Sequence, residues 1–245
     1  MRLWRLAVWP VALAGAVAAG YGSYITATWL RFGRPAPPSP DERDALLDQL
    51  MPAYDVSERH HVRVSASPSA TLAAARETDL RRSAIIRGIF GAREWLLNAT
   101  PEEASRPTGL VALTTSLGWR MVAEIPGREV VYGAVTQPWK ANVVFRGLAA
   151  EEFKKFREPG FVKILWTLRV DPTTPSECVF RTETRVATTD DDARRRFRWY
   201  WSRFSPGIVL IRQIALRLLK KQAEGSQRTL TLRDRETLPA PPDRG

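Results

Sequence analysis

The chain has one cysteine, Cys178, and two histidines, His60 and His61, among 245 residues. A lone cysteine excludes an intramolecular disulfide and any metal site built on cysteine pairs. The histidines are adjacent, so on a strand they point to opposite faces and cannot chelate one ion together. No glycine-rich phosphate loop occurs, and no serine sits in a nucleophile elbow or an acylation motif. Zinc-finger spacing and an RNA-recognition signature are missing as well. No metal or organic cofactor is expected from these residues. Acidic charge is also short. Lysine and arginine outnumber aspartate and glutamate by 37 to 26, a formal charge of +11. An excess of this kind serves solubility or meets an anionic partner. A membrane surface fits better than nucleic acid, because the chain also carries an apolar segment.

That segment is uncharged over residues 6–30. About 20 residues of helix span a bilayer core. Arg2 and Arg5 precede the run, and Arg31 and Arg34 follow it. Trp4, Trp9, Tyr21, Tyr24 and Trp29 lie toward its ends, where interfacial aromatics are favoured. Residues 1–34 are therefore read as an uncleaved membrane anchor with a single transmembrane pass. A cleaved signal peptide is the alternative, with an apolar core over residues 6–14 and a small-residue site at Ala16-Val17-Ala18. Against it, the uncharged stretch continues well past Ala18. The flanking charges nearly balance, with a slight preference for an inside amino terminus, which places the remainder outside the cytoplasm.

Residues 35–50 hold a stiff PAPPSP spacer and a short acidic helix. Residues 51–226 form the domain, and residues 227–245 a tail whose Pro-rich, charged end is expected to be disordered. The domain opens with a strand over residues 56–66, where Val62, Val64 and Ala66 share a face. Helices follow at residues 70–76 and 79–94. Strand patterns then occupy residues 110–115, 119–125, 129–136, 142–146, 161–170 and 178–187, with a short helix at 149–156. Pro126-Gly127 and Asp171-Pro172 mark turns, and such short connections indicate antiparallel neighbours. A last helix begins at the acids 190–192, breaks at Ser205-Pro206-Gly207 and resumes over residues 208–224. Ile208, Ile211, Ile214, Ala215, Leu218 and Leu219 cluster on one side of it. Arg212, Arg217, Lys220 and Lys221 take the other.

The local text adds a resemblance. It is carried by Met51 through Val56 (MPAYDV) leading into Glu58-Arg59-His60, by RSAIIRGIF at residues 82–90 and by GAVTQPW at residues 133–139. Further support lies in Glu158-Pro159-Gly160, the strand at residues 166–170, TETRV at residues 182–186 and residues 200–211 around Pro206-Gly207. Over residues 51–224 the chain resembles the START-like superfamily of polyketide cyclase/dehydrase and lipid-transport-like proteins, in a largely uncharacterised bacterial branch. The resemblance implies an α+β helix-grip fold: a curved antiparallel sheet of about six to seven strands around a long C-terminal helix. The N-terminal transmembrane helix is an addition to it. It also implies an apolar small molecule held between sheet and helix, although fold does not fix function.

Candidate residues follow. Tyr132, Trp139, Ile164, Trp166, Leu168, Thr182, Ile211, Ala215 and Leu218 are placed on the cavity wall. Trp166 equally suits a filled core, and Tyr132 with Trp139 equally suits turn packing. His60, Tyr132 and Glu183 are weak acid/base candidates. On the strand at residues 178–187, Arg181, Glu183 and Arg185 are expected to face solvent while the threonines face inward. In the opposite register Glu183 is buried. Arg196, Arg198, Trp199 and Trp201, from the stretch RRRFRWYWSR, are read as a membrane-contact surface or as ordinary packing with solvated arginines. Three functions stay open: membrane-tethered binding of a hydrophobic small molecule or lipid, a cyclase/dehydratase-type enzyme, and a non-catalytic envelope interaction module. Nothing in the sequence sets the oligomeric state.

Overall fold

Two period-two hydrophobic repeats, one at each end of the domain, meet as neighbours in one sheet. In the computed structural model, which describes residues 3–80, 83–96 and 107–236, β1 (Val56–Val64) pairs antiparallel with β5 (Glu177–Thr188). Val56 lies opposite Val186, Val62 opposite Phe180, and Val64 opposite Cys178. β5 pairs with β4 (Val162–Thr174), β4 with β3 (Glu129–Thr136), and β3 with β2 (Arg120–Ile125). All pairs are antiparallel, and the sheet order is β1-β5-β4-β3-β2. Gly127 adopts φ 72° in the β2–β3 turn, a conformation that a side chain would strain. Pro172, which cannot donate to a ladder, sits at the register shift near the β4–β5 hairpin.

The helices are α1 (Leu3–Arg31), α2 (Ala45–Leu50), α3 (Pro68–Glu77), α4 (Ala84–Leu96), α5 (Leu110–Ser116), α6 (Ala150–Lys155) and α7 (Asp191–Glu236). Side-chain caps start α2, α3 and α7. Asp44 accepts from Leu47 N at 3.0 Å, Ser67 from Ala70 N at 3.3 Å, and Asp190 from Ala193 N at 2.7 Å. That amide and the backbone N–H of Gly160 hold the Asp190 carboxyl below its usual range.

The sheet is covered on both sides, and β3 is buried at every position. α7 crosses the concave face. There Leu168, Val170 and Phe180 meet Leu216, Leu219 and Ala223, with Leu72 and Ala75 of α3 beside them. On the convex face α2 and α6 lay Leu47, Leu50 and Phe153 against Val131, Val135 and Leu165. Burial of apolar surface at ~25 cal/mol per Å² drives both layers. The end of α1 is fastened to the first half of α7. The Tyr21 hydroxyl donates to Arg203 O at 2.8 Å, and the Arg198 guanidinium sits 4.3 Å over the Trp29 ring.

Several expectations change. The sheet has five strands rather than six to seven. Residues 110–115, whose valine, leucine and threonines read as β, form α5, where the Thr114 hydroxyl bonds back to Leu110 O at 2.7 Å. Residues 142–146 contribute a single bridge, Val135 to Arg146. α7 continues through Pro206 instead of breaking there, and runs on beyond residue 224. A helix loses one hydrogen bond at an internal proline. Buried contacts on both sides, Tyr200 and Trp201 before and Leu216 and Leu219 after, hold the rod together. An N-terminal transmembrane helix was expected, but among the described residues no helix is long and apolar enough to cross a membrane. The side chains of residues 1–12 and 14, including Arg2, Trp4, Arg5 and Trp9, lie outside those described, as do residues 237–245.

Candidate ligand cavity

One helix cannot fill the concavity of a twisted five-stranded sheet. Between them lies a cavity of about 390 Å³. The sheet supplies Ile164, Trp166, Leu168, Phe180, Thr182, Thr184 and Val186. Period two puts them all on one face. α7 supplies Phe197, Tyr200, Trp201, Ile208, Ile211, Arg212, Ala215, Leu216 and Leu219. Leu80, Leu110, Leu117, Trp119 and Phe145 close the remaining side. The wall is apolar nearly throughout. The Trp166 indole is satisfied within the wall, since its Nε1 donates to Thr182 Oγ1 at 2.9 Å. Such a space takes a hydrophobic body and offers few groups for chemistry.

Of the nine residues expected to line this space, Ile164, Trp166, Leu168, Thr182, Ile211 and Ala215 do. Tyr132 stacks beside Trp166 at 5.7 Å and is buried, which pushes its phenol pKa up. Trp139 packs with Val56, Val162 and Phe197, its indole N–H buried with no hydrogen-bond partner. Leu218 is not part of the wall either. On the outer side, Trp201 is buried and lines the cavity, so it is not an outward surface. Trp199 is exposed, Arg196 pairs with Asp192 at 2.7 Å, and Arg198 is taken up by Trp29.

The three acid/base candidates are not brought together. His60 Nε2 lies 3.6 Å from Glu58 Oε2 on β1. Tyr132 is on β3, stacked beside Trp166. Glu183 is on the convex face, where the expectation of solvated charges fails. The threonines do face inward, but Glu183 and Arg185 are buried beneath α2. Arg185 donates to Glu183 at 2.8 Å and to Asp48 at 2.6 Å, and its guanidinium lies 4.6 Å over the Tyr54 ring. Arg59 joins Glu183 at 3.2 Å. This cluster fastens α2 to the sheet. A crevice beside it, bordered by His60 and His61, has room for about 20 Å³, roughly one water.

Arg212 was placed with the solvated basic residues of α7, yet it lines the cavity. The spacing held the signal. Arg212 is four residues from Ile208 and four from Leu216, within the apolar stripe. Its Nη2 donates to Thr184 Oγ1, and its Nε is buried with no hydrogen-bond partner. Burial pulls this guanidinium down to about 10, with the charge of Glu58 opposing the shift. Arg212 therefore stays cationic at neutral pH.

No family model matches the chain, and no curated protein matches it. Solved structures do. A Chromobacterium violaceum protein is 14% identical, with 69% of this chain and 97% of that one covered, at a TM-score of 0.32. Thalictrum flavum norcoclaurine synthase is 11% identical, with 70% and 96% covered, at 0.32. A START superfamily protein from Mycobacterium smegmatis is 14% identical, with 71% and 98% covered, at 0.25. Likenesses this distant leave ligand and chemistry open. The placing of β1 beside β5, the antiparallel run from β5 back to β2, and α7 across the concave face belong to the chain itself, and they make an α+β fold in which a curved five-stranded antiparallel sheet grips a long C-terminal helix.

Proposed function

We propose that this chain binds a hydrophobic small molecule or lipid in the cavity beneath α7, tethered to a membrane by its N-terminal segment. The apolar cavity of about 390 Å³ carries the reading. Its size falls within the roughly 300–1,000 Å³ of ligand pockets. Contact with a wall of Trp166, Phe180, Ile208 and Leu216 stabilises an apolar ligand by ~25 cal/mol per Å² removed from water. The tether is supported by the uncharged run over residues 6–30 and its flanking arginines. The later part of the run, from Tyr21 to Trp29, is docked on α7 at Arg203 and Arg198, so on this reading the earlier part meets the bilayer and the basic first half of α7, with Arg196, Arg198 and Trp199, is the surface proposed to lie near it.

A cyclase or dehydratase reading would need an acid and a base against the ligand. Among the described residues the cavity wall holds neither a carboxylate nor an imidazole.

The test is extraction of the purified full chain followed by mass spectrometry, with displacement of a fluorescent fatty-acyl probe. A bound lipid, or saturable probe binding that Ala215→Trp abolishes while the fold persists, is the expected result. Absence of both, in a chain that melts cooperatively, would sink the reading.

A further inference from the structure

The cavity wall carries one charged side chain among otherwise apolar or hydroxyl-bearing neighbours, and that is Arg212. A guanidinium has five N–H donors in a planar fork. Thr184 Oγ1 takes one of them. The Nε donor is buried and has no hydrogen-bond partner. No ion pair among the described residues includes Arg212. Glu58 acts on it only through space, and Glu58 itself stands 3.6 Å from His60. A desolvated cation without a contacting carboxylate is costly to the fold. A leucine on the same stripe would close the wall without that cost.

Resting on the cavity reading above, we infer that Arg212 receives the oxyanion head of an amphiphile, a carboxylate or phosphate, whose apolar body lies along Trp166 and Ile208. Two N–H groups of one guanidinium match two oxygens of either head in a planar, charge-assisted pair. Low polarity around that pair strengthens it relative to water. Thr184 holds the guanidinium from the sheet side, so the fork is oriented before the ligand arrives. Such a site selects against neutral amphiphiles of the same length, because a hydroxyl or ester head leaves the cation unpaired.

The experiment measures binding of dodecanoate, dodecyl phosphate and 1-dodecanol by the full chain, its Arg212→Met variant and its Arg212→Lys variant, using isothermal titration. The wild type should hold dodecanoate or dodecyl phosphate at least about tenfold more tightly than dodecanol. The tighter of the two anions identifies the head. Arg212→Met should remove that preference, with dodecanol held at least as tightly as by the wild type, and a cooperative thermal melt shows that the variant is folded. Arg212→Lys should keep part of the preference. Equal affinity of all three ligands for the wild type, or an unchanged preference in Arg212→Met, overturns the role of Arg212 while leaving the cavity reading intact. Binding of none of the three overturns both.

Discussion

The convex face buries a carboxyl and an amine with opposite consequences for stability, Glu129 and Lys163. Glu129 and Asp44 are both nearly inaccessible. Burial first, then the hydrogen bond and charge of Asp44, push the Glu129 carboxyl up to about 8, while Arg169 and Thr167 pull the other way. The folded chain therefore keeps this proton at neutral pH, whereas the unfolded chain releases it near the ordinary glutamate value of 4.5. The folded state binds more protons in between, so its stability is full below about pH 4.5 and is lost as pH rises toward about 8. The slope is at most about 1.4 kcal/mol per pH unit for one group. Lys163 acts only later. Burial lowers it to about 8 from 10.5, so its effect is a gain in stability with pH above about 8. Urea unfolding of wild type and Glu129→Gln across about pH 5 to 8 checks this, and the variant should show the flatter profile. Replacing Arg185 by Met should be severe by comparison. It strips Glu183 of a 2.8 Å partner in a buried cluster, a loss of about 3–5 kcal/mol on the same assay. None of these burials was readable from sequence. Alternation assigned Arg181, Glu183 and Arg185 to one face, but what covers that face comes from α2, far away in the chain.

Periodicity located the elements with long repeats and misjudged those governed by neighbours. β1, β4 and β5 were legible because one residue in two is apolar, and β3 because a short run of mostly apolar residues follows the Pro126-Gly127 turn. α5 was not, since Leu110 to Ser116 is too short for a helical period to outvote β-branched residues. Pro206 was read as a break by a local rule, and tertiary contacts along α7 overrode it. The proline nevertheless leaves Ser202 O without its usual helical donor, so Pro206→Ala should stabilise the chain by about 1–3 kcal/mol, read as a rise in the thermal midpoint. A fall would mean that the local backbone set by Pro206 is needed for packing Ile89 against Gly207. The cavity was legible to the extent that it depends on strand face and helix stripe. Arg212 was missed because its charge outweighed its place in that stripe.

At the scale of the whole molecule, α7 carries both the dock for α1 and one wall of the cavity. Full-length chain should sediment with anionic phospholipid vesicles, and a chain lacking residues 1–30 should remain in the supernatant while still binding a soluble acyl probe. Retention on vesicles after that deletion would assign membrane contact to α7 alone. The cavity also has a consequence for folding. A dry apolar space of about 390 Å³ costs on the order of 9 kcal/mol at ~24 cal/mol per Å³, comparable to the entire net stability of a domain. Without a guest the chain must admit water or let its walls sag inward, and with one it acquires the missing piece of its interior. On the proposed reading the ligand becomes a component of the native core, and heating the chain with and without a long-chain amphiphile should give melting points many degrees apart.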